Sequence, residues 1–241
     1  MYDRAELQPA NDALWSLVRE HLGFGPETLD REIGLWEGWE HPDLVLGQTC
    51  NLPYRTRLHG KVHVVGHPDF DLPHCPPGTY NSVLIARQDD PRSLEELLRA
   101  RVVINQDHSQ SGHLSLWDHA DPLGIKPNIT AESGGHVASV RMIADGDGDI
   151  AAIDAHTWRV IRRYDPHSST LREIVRTRPT PATPYICSLS HDPVRIREAL
   201  AHAIAALPLV HRIALNLKGV VQRPVSEMMA LPHPPHLMAT A

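Results

Sequence analysis

Short apolar runs alternate with helix-like segments along most of this chain of 241 residues. Apolar runs typical of buried strands lie at 44–46, 61–66, 82–87, 101–105, 128–132, 149–154 and 171–177. Helical spacing of apolar residues or helix-start signals predict helices at 9–22, 94–100, 112–119, 136–144, 155–164 and 192–206. Because helices connect parallel strands and cover both faces of their sheet, this alternation predicts an α/β fold with mostly parallel sheets.

The charge and the hydropathy pattern exclude some classes of protein. The formal net charge is −6, which argues against a nucleic-acid binder with a basic surface but not against a binder of small anions. No stretch approaches the ~18 apolar residues of a membrane span. The first residues lack the basic start and apolar run of a signal peptide, so we expect a cytoplasmic chain as given, or a periplasmic one if the true start lies upstream.

The compact motifs that identify common enzymes and metal sites are missing from the sequence. It has no nucleophile elbow, no phosphate-binding loop, no dinucleotide fingerprint, no His-Glu-x-x-His and no paired Cys-x-x-Cys. The acidic turn at 145–149 lacks the downstream Glu of a calcium loop. The Pro-rich stretch at 233–236 predicts a disordered tail rather than a metal site. We therefore expect no cofactor, no metal and no enzymatic activity.

The first candidate site is the polar loop after the predicted strand at 101–105. Ser109, Ser111 and Gly112 follow Asn105 at the start of a predicted helix. A helix N-terminus has unsatisfied N–H groups and a partial positive charge, so two hydroxyls and a glycine at this place suit an oxyanion. The alternative interpretation is ordinary N-capping by a serine.

A second loop of the same kind contains Ser133, Gly134, Gly135 and His136, between a predicted strand and a predicted helix. The glycines allow a ligand to approach the backbone closely, and His136 would project from the first helical turn. The alternative is a glycine-rich turn with a surface histidine. In α/β sheets ligands bind where the strands end, so two such loops are more informative than either alone.

Five further polar residues flank predicted strands. Gln48 and Thr49 follow the strand at 44–46, and Tyr80 and Ser82 stand at the start of the strand at 82–87, where their hydroxyls could donate to an anion. Asp154 ends the strand at 149–154. It could accept a proton from a ligand, bind a ligand amine, or simply cap the helix that follows.

Six segments occur in an order that is characteristic when they are taken together. They are Leu-Val-Leu-Gly-Gln-Thr-Cys at 44–50, Tyr-Asn-Ser at 80–82, the loop 105–112, Ser-Gly-Gly-His-Val-Ala-Ser at 133–139, Asp-Ile-Ala-Ala-Ile-Asp at 149–154, and Pro-Tyr at 184–185. In this order the chain, up to about residue 185, resembles the phosphate, phosphite and phosphonate substrate-binding proteins of ABC transporters.

The resemblance implies a two-lobed type II periplasmic-binding fold with two crossing hinge strands and a small phosphate-like oxyanion held between the lobes. Lobe one would comprise 1–87 and 183–241, and lobe two 88–182. The implied partner is an ABC permease, and we expect a monomer or a weak dimer. The implied ligand-binding residues are Gln48, Thr49, Tyr80, Ser82, Asn105, Ser109, Ser111, Gly112, Ser133, Gly134, Gly135, His136 and Asp154.

Two other classes of function remain open from the sequence. An exposed apolar patch on the C-terminal helix, or a stable dimer, would favour a cytoplasmic ligand sensor. A large apolar pocket with strongly shifted pKa values would favour an enzyme on the same fold. That enzyme would use His108, His136 and Asp154 for acid–base chemistry.

Overall fold

The computed structural model describes residues 2–232, so the predicted tail at 233–236 lies outside the described residues. The chain forms two compact units. Unit 1 comprises the residues up to Thr79 together with Pro181–Met229, and unit 2 comprises Tyr80–Thr180. The two-lobed α/β fold implied by the resemblance is confirmed.

Between residues 82 and 176 strands and helices alternate as the sequence predicts. The strands are β1 (Gly47–Gln48), β2 (Val62–Asp69), β3 (Thr79–Tyr80), β4 (Ser82–Arg87), β5 (Val102–Ile104), β6 (Ile129–Glu132), β7 (Ile150–Asp154), β8 (Leu171–Arg176), β9 (Thr180–Pro181), β10 (Tyr185–Ser188) and β11 (Gly219–Val221). The helices are α1 (Gln8–Leu22), α2 (Leu35–Trp39), α3 (Asn51–Pro53), α4 (Leu94–Arg99), α5 (Ser115–Ala120), α6 (His136–Asp145), α7 (Ala155–Tyr164), α8 (Pro193–Ala206), α9 (Leu209–Leu215) and α10 (Val225–Met229). Wider helical turns at Tyr54–Leu58 and Gln110–Leu114 extend α3 and lead into α5.

Unit 1 is built on a sheet in the order β1-β10-β2-β11, and all its pairs are antiparallel. Trp39, Tyr54, Leu58, Ile186 and Met228 belong to one core cluster of this unit. The predicted strand at 44–46 is wrong, because β1 pairs with β10 only through the next two residues. The chain turns just before β1, where the N–H of residue 44 bonds to the carbonyl of residue 41 at 3.1 Å.

Unit 2 is built on a five-stranded sheet in the order β6-β5-β7-β4-β8. β5 is parallel to β6 and β7, whereas β4 is antiparallel to both β7 and β8. A helical connection leads from each of β5, β6 and β7 to the next strand, which gives these strands one common direction. β4 runs the other way between β7 and β8. The prediction of mostly parallel sheets therefore fails, because β4 is reversed and the sheet of unit 1 is antiparallel.

The first passage from unit 1 to unit 2 lies earlier in the chain than the predicted boundary at residue 87. The chain crosses at 79–80 and returns at 180–181, and there β3 and β9 form a two-stranded sheet. β4 belongs to unit 2 because it pairs along its length with β7 and β8. Apolarity alone could not assign β4 to a unit, since a buried strand has the same composition in either.

Asp149 ties down the start of β7, at the end of the strand opposite to Asp154. Its carboxylate accepts hydrogen bonds from Arg101 and Arg87 at 2.9 Å, and Arg92 lies 2.9 Å away. These guanidinium groups, Arg101 above all, hold the pKa of Asp149 well below its usual range. This cluster holds the start of β7 in place, and Asp154 is the last residue of the same strand.

None of the described helices is by itself long and apolar enough to cross a membrane. The bent pair α8–α9 reaches that length and composition only when its two helices, 115° apart, are taken together.

Candidate functional site

The parallel strands β5, β6 and β7 end at the same edge of the unit 2 sheet, and the two predicted loops meet there. The N–H of Gly134 donates to the carbonyl oxygen of Asn105 at 2.8 Å, and the N–H of Ser133 donates to that of Ile104 at 2.9 Å. These bonds join the loop after β6 directly to the loop after β5. The structure thus brings together the two loops that the sequence singled out separately.

Ser109 acts as the N-cap of the helical segment that leads into α5. Its Oγ accepts a hydrogen bond from the N–H of Gly112 at 3.0 Å. The hydroxyl is buried, so this bond satisfies a backbone donor that water does not reach. For Ser109 the geometry therefore shows ordinary N-capping, the alternative to anion binding.

Ser111 and His136 connect the two loops through their side chains. Ser111 Oγ and His136 Nε2 lie 2.9 Å apart in a hydrogen bond. Burial lowers the pKa of His136 to about 4, so the imidazole is neutral at pH 7. The pair then holds one hydroxyl hydrogen and one imidazole hydrogen, and their mutual bond uses one of them. Whichever tautomer forms, the mutual bond leaves one of these two hydrogens unused.

Gly112 lies at the point where the side chains of Asn105 and His136 converge. A Cβ on Gly112 would overlap the carboxamide of Asn105 and lie 3.1 Å from Cε1 of His136. Asn105 is buried, and its Oδ1 has no hydrogen-bond partner among the described residues. Glycine is required here for close packing of side chains rather than for a special backbone angle.

The loop before α6 is shaped by its own hydrogen bonds. Ser133 Oγ donates to the carbonyl of Gly135 at 3.0 Å and lies 2.7 Å from the hydroxyl of the buried Ser139. Gly134 has φ +85°, a left-handed angle that suits glycine. Gly135, the N-cap, offers no side-chain bond to α6. The first-turn N–H groups of this ten-residue helix are therefore not capped by a side chain.

Ser82 and Asp154 face each other across β4 and β7, and both make structural bonds. Ser82 Oγ donates to the carbonyl of Ser111 at 2.8 Å and accepts from Ser115 at 3.0 Å. Asp154 caps α7, since its Oδ1 accepts from the N–H of Thr157 at 2.9 Å. Tyr80, in β3, is buried.

In unit 1 the structure separates the roles of Gln48 and Thr49. Gln48 Nε2 donates to both the carbonyl and the hydroxyl of Thr183, each at 3.1 Å, and so ties β1 to the returning chain. Thr49 is completely buried, and its hydroxyl has no partner among the described residues. The buried carboxamide of Asn51, two residues on, also has an unpartnered oxygen in the described part of the chain.

Sequence reasoning noted Ser139 one turn after the second loop but missed Asn51 and Ser115. Asn51 had a detectable signal, because it lies two residues after Thr49 at a helix start. Ser115 had none of this kind, since a serine one turn into a predicted helix is common and can face any direction. Within residues 2–232, no group of three or more His, Cys, Asp or Glu side chains is placed to hold a metal ion.

Comparisons with known proteins place this fold and these loops in a family. No curated protein matches the chain in sequence. Among solved structures, PhnD1 from Prochlorococcus marinus in complex with methylphosphonate superposes with a TM-score of 0.69 at 16% identity, covering 94% of this chain and 91% of that one. A binding protein component of an ABC phosphonate transporter from Pseudomonas aeruginosa superposes with a TM-score of 0.69 at 15% identity, covering 92% of this chain and 78% of that one. A histidine kinase sensor domain with similarity to periplasmic binding proteins superposes with a TM-score of 0.57 at 16% identity, covering 89% of this chain and 87% of that one.

At these identities the structural likeness shows the fold alone. The sequence model of one family, described as ABC transporter, phosphonate, periplasmic substrate-binding protein, matches residues 68–211, more than half of the 241 residues. That match includes both loops of unit 2. The chain belongs to the family of periplasmic substrate-binding proteins of phosphonate ABC transporters.

Proposed function

We propose that the chain binds a small phosphate-like oxyanion, namely phosphate, phosphite or a phosphonate, as the substrate-binding component of an ABC-type uptake system on the periplasmic side. The observation that carries the proposal is the Ser111–His136 pair beside the uncapped start of α6. One hydrogen of the pair and the first-turn N–H groups of the helix offer several donors to one anion. Ser111 is buried and His136 is half-buried, so water competes less for these bonds than it does on an exposed surface.

The neutral state of His136 suits this role. A neutral imidazole and a serine hydroxyl bind an anion by hydrogen bonds, without the strong ion pair that would slow its release. The family consists of substrate-binding proteins rather than enzymes. An ABC permease is therefore the partner that we propose, for a protein that is a monomer or a weak dimer.

Calorimetric titration with phosphate, phosphite, methylphosphonate and 2-aminoethylphosphonate, with sulfate as control, tests the proposal. We expect saturable binding of at least one phosphorus oxyanion in preference to sulfate. Ser111→Ala should weaken it roughly ten- to a hundredfold, the effect of losing one hydrogen bond to a charged group. Ser16→Ala, on the exposed face of α1, is the matched control. Binding of none of these ligands would refute the proposal.

A second candidate function is a ligand sensor, and one observation favours it. On α9 the side chains of Leu209, Val210 and Ile213 are 61%, 68% and 56% exposed. An apolar surface of this kind suits a protein contact. Light scattering with and without the bound oxyanion separates the two functions. A ligand-dependent dimer that Val210→Glu abolishes would support a sensor, and an unchanged monomer would support the transport component.

A further inference from the structure

Unit 1 contains a cavity of about 540 Å³ whose lining residues all belong to that unit. They lie between residues 15 and 48, on α1, on α2, and on the segments that precede and follow α2. Among the described residues, none from the loop after β1 lines the cavity. Its volume is in the range of cavities that hold small organic ligands.

The inner lining of the cavity is apolar. Trp15, Trp39 and Val45 line it and are buried. Trp15 Nε1 donates to the carbonyl oxygen of Pro26 at 3.1 Å, and Trp39 Nε1 donates to that of Gln48 at 2.8 Å. Because both indole N–H groups are bonded to the backbone, the two rings offer a ligand only carbon surface.

The mouth of the cavity is acidic. Asp30 and Asp43 line it and are exposed, and none of the described lining residues is Lys or Arg. Asp30 Oδ1 accepts from the N–H groups of Glu32 and Ile33 at 2.9 and 3.1 Å. These bonds hold the pKa of Asp30 below its usual range, so it is a carboxylate at neutral pH. Its second oxygen, Oδ2, is the one that can accept from a ligand.

The basic side chains near this mouth do not neutralise it. Arg31 follows Asp30 in the chain, but its guanidinium is bound by Asp3 at 2.7 Å and by Asp12 at 2.8 Å. His41 also lines the cavity, and its Nδ1 accepts from the N–H of Asp43 at 3.2 Å, a bond that requires Nδ1 to carry no proton. The lining therefore has a net negative charge.

We propose that this cavity binds a small organic cation that has an apolar body. The apolar body lies against the buried part of the lining, where removal of apolar surface from water favours binding. The ammonium group lies at the carboxylates of Asp30 and Asp43, and the indole rings attract a cation as well. An anion of the same shape would meet two like charges. The cavity belongs to unit 1 alone, so this inference holds whether or not unit 2 binds an oxyanion.

Four small probes separate the contribution of the charge from that of the apolar body. They are 2-phenylethylammonium, its neutral analogue 2-phenylethanol, the anion phenylacetate, and ethylammonium, which lacks the ring. In calorimetry at low salt we expect 2-phenylethylammonium to bind about tenfold more tightly than 2-phenylethanol. Ethylammonium should bind more weakly than 2-phenylethylammonium, and phenylacetate should show no binding.

The tryptophans report where the probe binds. In nitrogen–proton NMR spectra each indole N–H gives one signal, which single Trp→Phe variants assign. We expect 2-phenylethylammonium to shift the signals of Trp15 and Trp39, which line the cavity. The signals of Trp117 and Trp158, both in unit 2, should stay in place.

Variants of the two aspartates connect the preference for the cation to this mouth. Asp30→Asn removes the charge but keeps an Oδ1 that can accept from both N–H groups. We expect Asp30→Asn and Asp43→Asn each to weaken binding of 2-phenylethylammonium about three- to fivefold. In the double variant the preference over 2-phenylethanol should fall toward one. Asp89→Asn, at an exposed position of unit 2, is the matched control and should keep the parent affinity.

Thermal unfolding checks each variant, and Asp43→Asn provides the test if Asp30→Asn does not fold. Four results would overturn the inference. The first is a parent protein that does not bind 2-phenylethylammonium, and the second is equal binding of this cation and 2-phenylethanol. The third is a preference that persists unchanged in the aspartate variants. The fourth is a probe that shifts the signals of Trp117 or Trp158 and leaves those of Trp15 and Trp39 in place.

Discussion

The backbone of Gly112 lies against the carboxamide of Asn105, so close that a Cβ on Gly112 would overlap Asn105 Oδ1. Cε1 of His136 lies 3.1 Å from the same Cβ position. Because Gly112 has no side chain, Asn105 from the loop after β5 and His136 from the loop after β6 can meet at the end of the sheet. The close packing of these three residues leads to the first prediction.

Gly112→Ala should displace Asn105 or His136 and lower the free energy of unfolding by roughly 1–3 kcal/mol, the usual cost of an overpacked buried site. Urea unfolding measures this loss of stability. The affinity for the oxyanion should fall as well. Gly219→Ala is a suitable control, because a Cβ there has no atom within 4 Å. Adding Asn105→Ala to Gly112→Ala should restore part of the lost stability. If the double variant is no more stable than Gly112→Ala, Asn105 is not the obstacle.

The two serines of the first loop should have different effects when each is replaced by alanine. Ser109 caps a helical segment, so Ser109→Ala should lower the free energy of unfolding by about 0.5–2 kcal/mol. Ser111 faces His136 instead, so Ser111→Ala should mainly lower oxyanion affinity. Urea unfolding and calorimetry on both variants measure the two effects. Equal effects on stability and affinity in the two variants would contradict the separate roles.

Three histidines with lowered pKa values should make the stability of the protein depend on pH. Burial lowers the pKa of His136 and His67 to about 4 and that of His156 to about 3, against about 6.5 in an unfolded chain. At pH values between the folded and the unfolded pKa, these histidines are protonated in the unfolded chain but not in the folded one. The free energy of unfolding should therefore decrease as the pH falls from about 6.5 toward 4.

Urea unfolding across this pH range, without ligand, should show a shallower dependence for His136→Gln than for the parent protein. Glutamine keeps a hydrogen-bonding side chain but does not titrate. An identical slope for His136→Gln and the parent would show that burial does not lower the pKa of His136.

Asp149→Asn should destabilise unit 2, because it leaves the guanidinium groups of Arg87, Arg92 and Arg101 without their shared carboxylate. These arginines are partly exposed, so water and salt screen their interaction with Asp149. The free energy of unfolding should therefore fall by only roughly 1–3 kcal/mol. Urea unfolding measures it, with Asp147→Asn at an exposed neighbouring position as the control. Equal stability of the two variants would mean that the arginine cluster contributes nothing to the fold.

The sequence by itself determined the α/β class, the family and the two loops of unit 2. These properties depend on local signals. Apolar periodicity marks buried strands and helices, as it does for β7 and α8. Capping residues mark helix starts, as the capping box of Ser93 and Glu96 does at the start of α4. The order of short polar segments identified the family, and the family match confirms it.

Only the tertiary structure decided strand direction, the point where the chain first passes between the units, and the role of each polar side chain. The reversal of β4 leaves no mark on its apolar sequence, because a buried strand has the same composition in either direction. Ser109 and Ser111 look equivalent in the sequence, yet one caps a helix and the other bonds to His136. The carboxamide of Asn51 is oriented by a hydrogen bond to Pro181, 130 residues away in the chain. Hydrogen-bond partners distant in sequence set these roles, and local sequence patterns do not contain them.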